Sequence, residues 1–237
     1  MRLAALRQGN NLILHDADSL CDAATSHQPD PALFSAEYWR SRDLVVGEAP
    51  GRGSSLFLQA SPEEQWVLRP YRRGGLVAKL SQKRYFWLGA ERTRGFQEMR
   101  LTANLFEQGL PVPRPIATCV VRHGLSYEAA LITQRITGAK ALAELIVSHL
   151  ADEALLQRVG AMIRRFHRAK LDHVDLNARN ILVDASGTPW LIDLDRCRLR
   201  QPGKWQSANL ERLKRSIHKF DSSLSISSIL QGYRATS

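Results

Sequence analysis

Between His173 and Asp195 the chain reads HVDLNARNILVDASGTPWLIDLD, and three of its side chains sit at offsets that could do chemistry. Asp175 falls in a short polar loop, and Asn180 follows five residues later. Ile181-Leu182-Val183 reads as a buried strand, Ala185 to Thr188 as a tight turn, and Trp190-Leu191-Ile192 as the returning strand. A hairpin of that length returns Asp193 to the side of Asn180. Asp175 is then a carboxylate free to accept a proton. Asn180 and Asp193 offer an amide and a carboxylate oxygen to a hard cation such as Mg2+.

The constellation resembles the catalytic core of the protein-kinase superfamily, in which an H-x-D-x-x-x-x-N loop precedes a second, metal-binding Asp. His173, Asp175 and Asn180 occupy the loop, and Asp193-Leu194-Asp195 the second site. A plain β-hairpin with polar ends accounts for single Asp or Asn residues. It does not account for this order, spacing and intervening hairpin together. His173 is expected to brace the loop by hydrogen bonding. Asp195 reads either as a further metal or acceptor contact or as a partner of Arg196 or Arg198. Val174 stands where many protein kinases carry an arginine before the catalytic Asp, and no long activation segment follows, which argues against switching by loop phosphorylation.

These residues need a lobe to position a nucleotide. From Leu44 the pattern turns to strands, at 44–46, 56–59 and 65–69, with Gly51-Arg52-Gly53 in the first turn. Gly51 and Gly53 would let backbone amides approach phosphates, although an ordinary hairpin turn explains them equally well. Arg69 closes the third strand, where the superfamily places a lysine against the α- and β-phosphates. The swap keeps the charge and changes its geometry. Lys79, in Leu76-Val77-Ala78-Lys79, imitates the usual spelling but follows an apparent loop, so Arg69 is favoured and Lys79 stays as its rival. A helix over 91–108, with Phe96, Met99, Ala103 and Phe106 at three- to four-residue spacing, carries Glu98 where the superfamily has the partner of that cation. An exposed helix glutamate is the plainer alternative.

The remaining elements are supports. Residues 1–40 form a leader of uncertain structure, with Leu12-Ile13-Leu14 compatible with a strand and 34–39 with a short helix capped by Ser35. Strands at 116–121 and 127–133 complete an N-terminal β lobe over 41–134. Residues 135–237 form a mainly helical catalytic lobe, with an amphipathic helix over 151–170 and a last helix capped by Ser207. His167 on the first of these reads as structural. The serine-rich tail from Asp221 reads as frayed. The fold class is therefore α+β: a two-lobed, protein-kinase-like fold with a small antiparallel β lobe carrying one helix, and a compact, mainly helical lobe.

At 237 residues and 44% hydrophobic content the chain can bury one large core or two small ones. No apolar run is long enough for a membrane span, and Met1 to Leu14 lacks the pattern of a signal peptide. The three cysteines, 21, 119 and 197, are scattered and suggest a reducing compartment with neither a disulfide framework nor a zinc site. The net charge of +10 is concentrated: nine Lys/Arg against two Glu between Arg69 and Arg100, and eight against one between Arg196 and Lys219. Such patches suit phosphates or an anionic leaflet. Nucleic acid is not expected as a partner, since no zinc motif, recognition helix or basic-aromatic ladder is present.

Several local spellings are similar to one family, the 3-deoxy-D-manno-octulosonic acid (Kdo) kinases of Gram-negative bacteria. They are Gly51-Arg52-Gly53, the run from Trp66 to Gly75, the stretch from Arg84 to Glu98, Gly109 to Pro113, Asp175 to Leu182, and Asn209 to Ser216. The match covers about residues 40–220, and arginine at position 69 agrees with that family's pattern. The resemblance implies ATP-dependent phosphorylation of the 4-hydroxyl of a Kdo residue on a lipid A precursor, by a peripheral enzyme on the cytoplasmic side of the inner membrane. It implies Asp175 as catalytic base, Asn180 and Asp193 as Mg2+ ligands, and Arg69 held by Glu98 on the phosphates of ATP. The rivals are a lipopolysaccharide heptose kinase and a catalytically inactive kinase fold that serves as a binding module.

Overall fold

Apolar residues alternating with polar ones, and runs broken by Gly9-Asn10 and Gly124-Leu125 turns, make the first half of the chain a sheet. The computed structural model describes residues 1–20, 29–49, 55–72 and 84–236. Gly51, Gly53 and Lys79, and with them the glycine turn and the rival cation, lie outside these described residues, as does Cys21. The chain divides into two units. The first comprises residues 1–103 with 114–135, and the second residues 104–113 with 136–237.

In the first unit the strands are β1 (Leu3–Gln8), β2 (Asn11–Asp16), β3 (Val45–Glu48), β4 (Leu56–Gln59), β5 (Gln65–Pro70), β6 (Tyr85–Phe86), β7 (Pro115–His123) and β8 (Ser126–Gln134). They form one antiparallel sheet in the order β1-β2-β7-β8-β5-β4-β3, with β6 also pairing β8. The leader is thus part of the sheet: β1 and β2 form a hairpin, and β2 pairs β7 with Ile13 opposite Cys119. Strand alternation sorts the side chains into two layers. Leu56, Leu58, Trp66, Leu68, Ile116, Ala130 and Ile132 pack with Trp39 of the short helix α2 (Ala36–Arg40), which follows α1 (Ala17–Leu20). Tyr71, Val120, Tyr127 and Leu131 pack with Phe96 and Met99 of α3 (Arg94–Glu107). Ser35 occupies the position before α2, but its side chain makes no capping hydrogen bond. The helix expected from residue 91 begins at Arg94, because Ala90 to Arg92 forms a 3-10 turn.

The second unit contains β9 (Lys140–Ala141), α4 (Leu142–Val147), α5 (Glu153–Arg168), β10 (Leu171–Asp172), β11 (Ile181–Val183), β12 (Pro189–Leu191), β13 (Arg198–Leu199), α6 (Lys204–Ile217) and α7 (Ser227–Ala235). Asp152 caps α5, its Oδ1 accepting the Leu155 amide at 2.7 Å. Leu155, Leu156, Val159, Met162, Ile163 and Phe166 form the buried face of α5. Two expectations are corrected here. The last stretch is not frayed: Ser227 to Ala235 is a helix with Ile229 fully buried. It lies so close to α5 that a Cβ at Gly160 would collide with the Ile229 carbonyl, and one at Gly232 with the Gln157 carbonyl. Serine content hid a contact that two glycines make possible. Nor does Ser207 cap α6, which starts at Lys204 and is closed by the Gln206 side chain accepting the Gly203 amide at 3.2 Å. The earlier start puts Trp205 and Asn209 in the core.

His167 joins three helices. Its Nδ1 lies 2.8 Å from the Tyr233 hydroxyl of α7, and its ring meets Trp205 of α6 edge-on at 5.0 Å. Burial first, and then the nearby Arg164, lower its pKa to about 4. The unfolded chain therefore takes up a proton near pH 6.5 that the folded chain refuses until about pH 4, and stability falls as pH drops through that window. The loss is on the order of 3 kcal/mol for this group. Buried His15, whose pKa is also lowered, adds in the same direction. Urea midpoints measured from pH 7 to 4 are expected to fall, and His167→Gln is expected to flatten part of that slope; an unchanged slope in the variant would refute the assignment.

Candidate active site

The loop ahead of the hairpin is held from both sides by its own backbone and by α6. Asp172, at the end of β10, accepts Arg200 Nη1 on Oδ2 at 2.9 Å and Asn209 Nδ2 on Oδ1 at 3.0 Å, with Arg198 at 4.0 Å. Burial opposes ionisation, but the hydrogen bonds from Arg200 and Asn209 and the two guanidinium charges outweigh it and hold this carboxyl below its usual range. The sequence reading missed Asp172. Its signal was an Asp followed by a basic strand and an Asn on a helix, which only folding brings together. His173 is buried, with Nε2 3.1 Å from the Ile192 carbonyl, so it braces the loop against the returning strand.

Around Asp175 the polar atoms are used in order. Its carbonyl accepts the side-chain amides of both Asn177 and Asn180, each at 3.0 Å. Asn177 Oδ1 in turn accepts the backbone amides of Arg179 and Asn180 at 2.9 and 3.2 Å. The Ala178 amide donates to Ser216 Oγ of α6 at 3.1 Å, and its carbonyl accepts the Ala143 amide of α4 at 3.0 Å. The Asp175 side chain is exposed at the apex of this tightly bonded turn. Because Asn180 Nδ2 is committed to the loop, Oδ1 is the atom that bond leaves over.

The hairpin then returns the chain. Ile181 opposes Leu191 and Leu182 opposes Trp190, and the Ile192 amide donates to the Asn180 carbonyl at 3.0 Å. Asp193 is therefore the residue next to the one bonded to Asn180. It sits at φ 60°, left-handed backbone that a non-glycine residue rarely adopts and that the bonds on Ile192 hold in place. Asp184 closes the turn: its Oδ1 accepts the amides of Ser186 and Thr188, and its Oδ2 accepts Trp190 Nε1 at 2.8 Å. Asp195 lies 3.9 Å from Arg196, while Arg198 is turned to Asp172. Outside the hairpin, Leu191 donates its amide to the Pro111 carbonyl at 2.9 Å, and Arg165 Nη2 holds the Gly109 carbonyl at 2.7 Å.

The other sequence-derived residues meet in the first unit. Arg69 Nη2 donates to Glu98 Oε1 at 2.5 Å, and the Tyr71 hydroxyl donates to Glu98 Oε2 at 2.5 Å. Glu98 is buried rather than exposed, and both its oxygens are taken. The Arg69 guanidinium also lies 4.9 Å from the centre of the Tyr71 ring. Tyr71 was missed as a site residue; its signal was the two-residue spacing from Arg69, which puts both on one face of an extended chain. Burial, and then the neighbouring Glu98 charge, push its hydroxyl pKa well up, so it remains a donor to the carboxylate.

Mg2+ takes one or two protein oxygens and fills its octahedron with water and phosphate oxygens. Asn180 and Asp193 match that demand in number and hardness. Among the described residues, no group of three or more His, Cys, Asp or Glu side chains is gathered as a metal cage.

The second unit thus carries an exposed carboxylate on a bonded loop with Asn180 and Asp193 side by side behind it, and the first unit carries an arginine locked to a helix glutamate. The profile of the lipopolysaccharide kinase (Kdo/WaaP) family matches residues 36–233, and this chain belongs to that family. Among its relatives are proteins named 3-deoxy-D-manno-octulosonic acid kinase. The one from Xylella fastidiosa (strain M23) is 45% identical over 215 residues, covering 90% of this chain and 85% of the relative. That from Stenotrophomonas maltophilia (strain K279a) is 44% identical over 241 residues, covering 98% and 90%. That from Xanthomonas axonopodis pv. citri (strain 306) is 47% identical over 221 residues, covering 92% and 85%.

The double use of Glu98 gives a stability test. Tyr71→Phe keeps the ring beside Arg69 and removes one donor from a buried carboxylate, which costs about 1.5–3 kcal/mol. Urea denaturation of the variant should show that loss; an unchanged midpoint would mean that Arg69 alone satisfies the carboxylate.

Proposed function

We propose that this chain is an ATP-dependent kinase that phosphorylates the 4-hydroxyl of a Kdo residue on a lipid A precursor. The observation that carries the reading is the Ile192 amide on the Asn180 carbonyl, which fixes Asp193 beside Asn180 at the end of the loop bearing Asp175. The names of the relatives supply the acceptor sugar. In this reading the first unit is the nucleotide lobe and the second the catalytic lobe of a two-lobed, kinase-like fold.

Asp175 orients the sugar hydroxyl and accepts its proton as the oxygen attacks the γ-phosphorus in line. Asn180 Oδ1 and an Asp193 oxygen would hold Mg2+, which would supply charge neutralisation on the phosphates. Arg69 offers a planar, permanently charged fork to the phosphates, and Glu98 and Tyr71 prevent that fork from swinging. Because Glu98 already spends both oxygens, the arginine is aimed before any nucleotide arrives. Gly51 and Gly53 are proposed as further nucleotide contacts, and Lys79 stays the rival of Arg69 for the phosphate role. The acceptor carries phosphates and a carboxylate in an anionic leaflet, which suits a chain of net charge +10 acting from the cytoplasmic side of the inner membrane. Among the described residues, no helix is long and apolar enough to cross a membrane, so a surface attachment is the form this contact takes in the proposal.

Transfer of labelled phosphate from ATP to a Kdo-bearing lipid A precursor, followed by mapping of the modified hydroxyl, tests the reading. A heptose-terminated acceptor run alongside separates it from the heptose kinase alternative, and the absence of any magnesium-dependent turnover would leave the inactive binding module. Asp175→Ala is expected to keep the wild-type melting temperature and lose about 10²–10⁴-fold in transfer rate. Near wild-type turnover by that variant would remove Asp175 from the mechanism.

A further inference from the structure

One end of the first unit's sheet carries side chains that the phosphotransfer site does not use. The β1–β2 turn (Gly9-Asn10) and the β7–β8 turn (Gly124-Leu125) lie side by side there, since the Arg122 amide donates to the Asn10 carbonyl at 2.9 Å. Residues 85–88 run against the second turn: Tyr85 pairs Tyr127, Phe86 pairs Ser126, and the Trp87 amide donates to the Leu125 carbonyl at 2.9 Å. Tyr85 points into the core, and its neighbours go the other way. Phe86 is 77% exposed, Leu88 67% and Leu125 82%, the three most exposed large apolar side chains among the described residues. They stand on a bonded frame, so their exposure is built in.

Charge accompanies them. Arg7 and Arg122 flank a cleft of about 230 Å³ with Asn10, Leu12 and Trp87 in its wall. Each guanidinium is oriented by its own turn, Arg7 Nε donating to the Gly9 carbonyl at 3.2 Å and Arg122 Nε to the Gly124 carbonyl at 3.0 Å. Among the described residues, no carboxylate lies within ion-pair distance of either; the local acid, Glu128, is instead near Arg84 and His123, at 3.7 and 3.8 Å. Trp87 sits between the two kinds of surface, half-buried, with Arg122 5.1 Å from its ring centre and Tyr127 edge-on at 6.2 Å.

We propose that this sheet end is the membrane-docking surface of the protein: Phe86, Leu88 and Leu125 enter the headgroup–acyl boundary of a bilayer, and Arg7 and Arg122 bind the phosphates of anionic lipids in the adjoining cleft. Projecting apolar side chains beside unneutralised guanidinium groups, with an indole at the border, match the layered chemistry of that interface. A second copy of this chain is disfavoured as the occupant, because two surfaces with paired arginines on a chain of net charge +10 repel. The inference rests on the reading of a membrane-held acceptor, but binding to lipid can be measured without any phosphate transfer.

Flotation of the full chain with phosphatidylethanolamine–phosphatidylglycerol vesicles, against phosphatidylcholine vesicles, is the test. Wild type should bind the anionic vesicles and be released by high salt. The triple variant Phe86→Ser, Leu88→Ser, Leu125→Ser should bind about ten-fold or more weakly, and the double variant Arg7→Gln, Arg122→Gln should lose the preference for anionic lipid, both with wild-type circular dichroism and melting. Transfer to a water-soluble Kdo acceptor should be unchanged in the triple variant and transfer to a vesicle-embedded acceptor reduced. If wild type fails to bind vesicles, if both variants bind like wild type, or if the triple substitution abolishes a dimer seen by sedimentation instead, the assignment is wrong. If lipid binding follows the pattern above while wild type transfers no phosphate to any acceptor, the docking surface stands and the kinase reading falls.

Discussion

The arrangement of the second unit depends on one hydrogen-bond register. With Ile181 opposite Leu191, the Ile192 amide reaches the Asn180 carbonyl and Asp193 follows immediately. Side chains in a strand alternate between faces, so a slip of one residue would turn the returning strand over and carry Asp193 away from Asn180. Strands of three residues supply few bonds to resist such a slip. The surrounding contacts make up the difference: Asp184 gathers its turn around one carboxylate, β9 pairs the outer side of β11, and Leu191 is tied to Pro111. Asp193 sits at positive φ, a conformation Asp tolerates better than most non-glycine residues, and the bonds on Ile192 hold it there.

A second constraint works through desolvation. Glu98 is a buried acid, and a buried charge must be matched by donors or it will not stay charged. Arg69 and Tyr71 provide one donor for each oxygen. The same pairing that settles the carboxylate also removes rotational freedom from a long, flexible arginine. Stability and preorganisation are thus served by one set of bonds, and an arginine's planar fork suits this better than an ammonium, since it can hold the acid with one edge and present another.

Support for the loop comes from residues far away in the chain. Asp172 is compensated by Arg200 and Asn209, Ala178 by Ser216 and Ala143, and the helices behind them are joined through His167, Trp205 and Tyr233. α7 can approach α5 closely because both Gly160 and Gly232 lack a side chain at the crossing. A carboxylate on a loop is useful to chemistry only if the loop does not wander, and here the polar atoms of the turn are paired to backbone, to α4 or to α6.

Local order was legible where the code is local. Alternation announced β3, β4, β5, β7 and β8, and the 3.6-residue period announced α3 and α5. The spacing of Asp175, Asn180 and Asp193 was written within one hairpin, which is why the candidate site could be named from the letters. The leader's place in the sheet could not, because β2 becomes a core strand only through its pairing with β7, a hundred residues on. The tail misled for a related reason: a serine-rich stretch has little helical drive of its own, and α7 forms because burial of Ile229 against α5 rewards it. Tyr71 and Asp172 escaped notice because a phenol or an acid acquires its role from the neighbours that desolvate and pair it. By itself the sequence determined the chemistry on offer and the elements that carry it; the tertiary structure alone decided which buried charges are matched and which side chains are left facing outward, since burial is a property of packing and not of any residue in isolation.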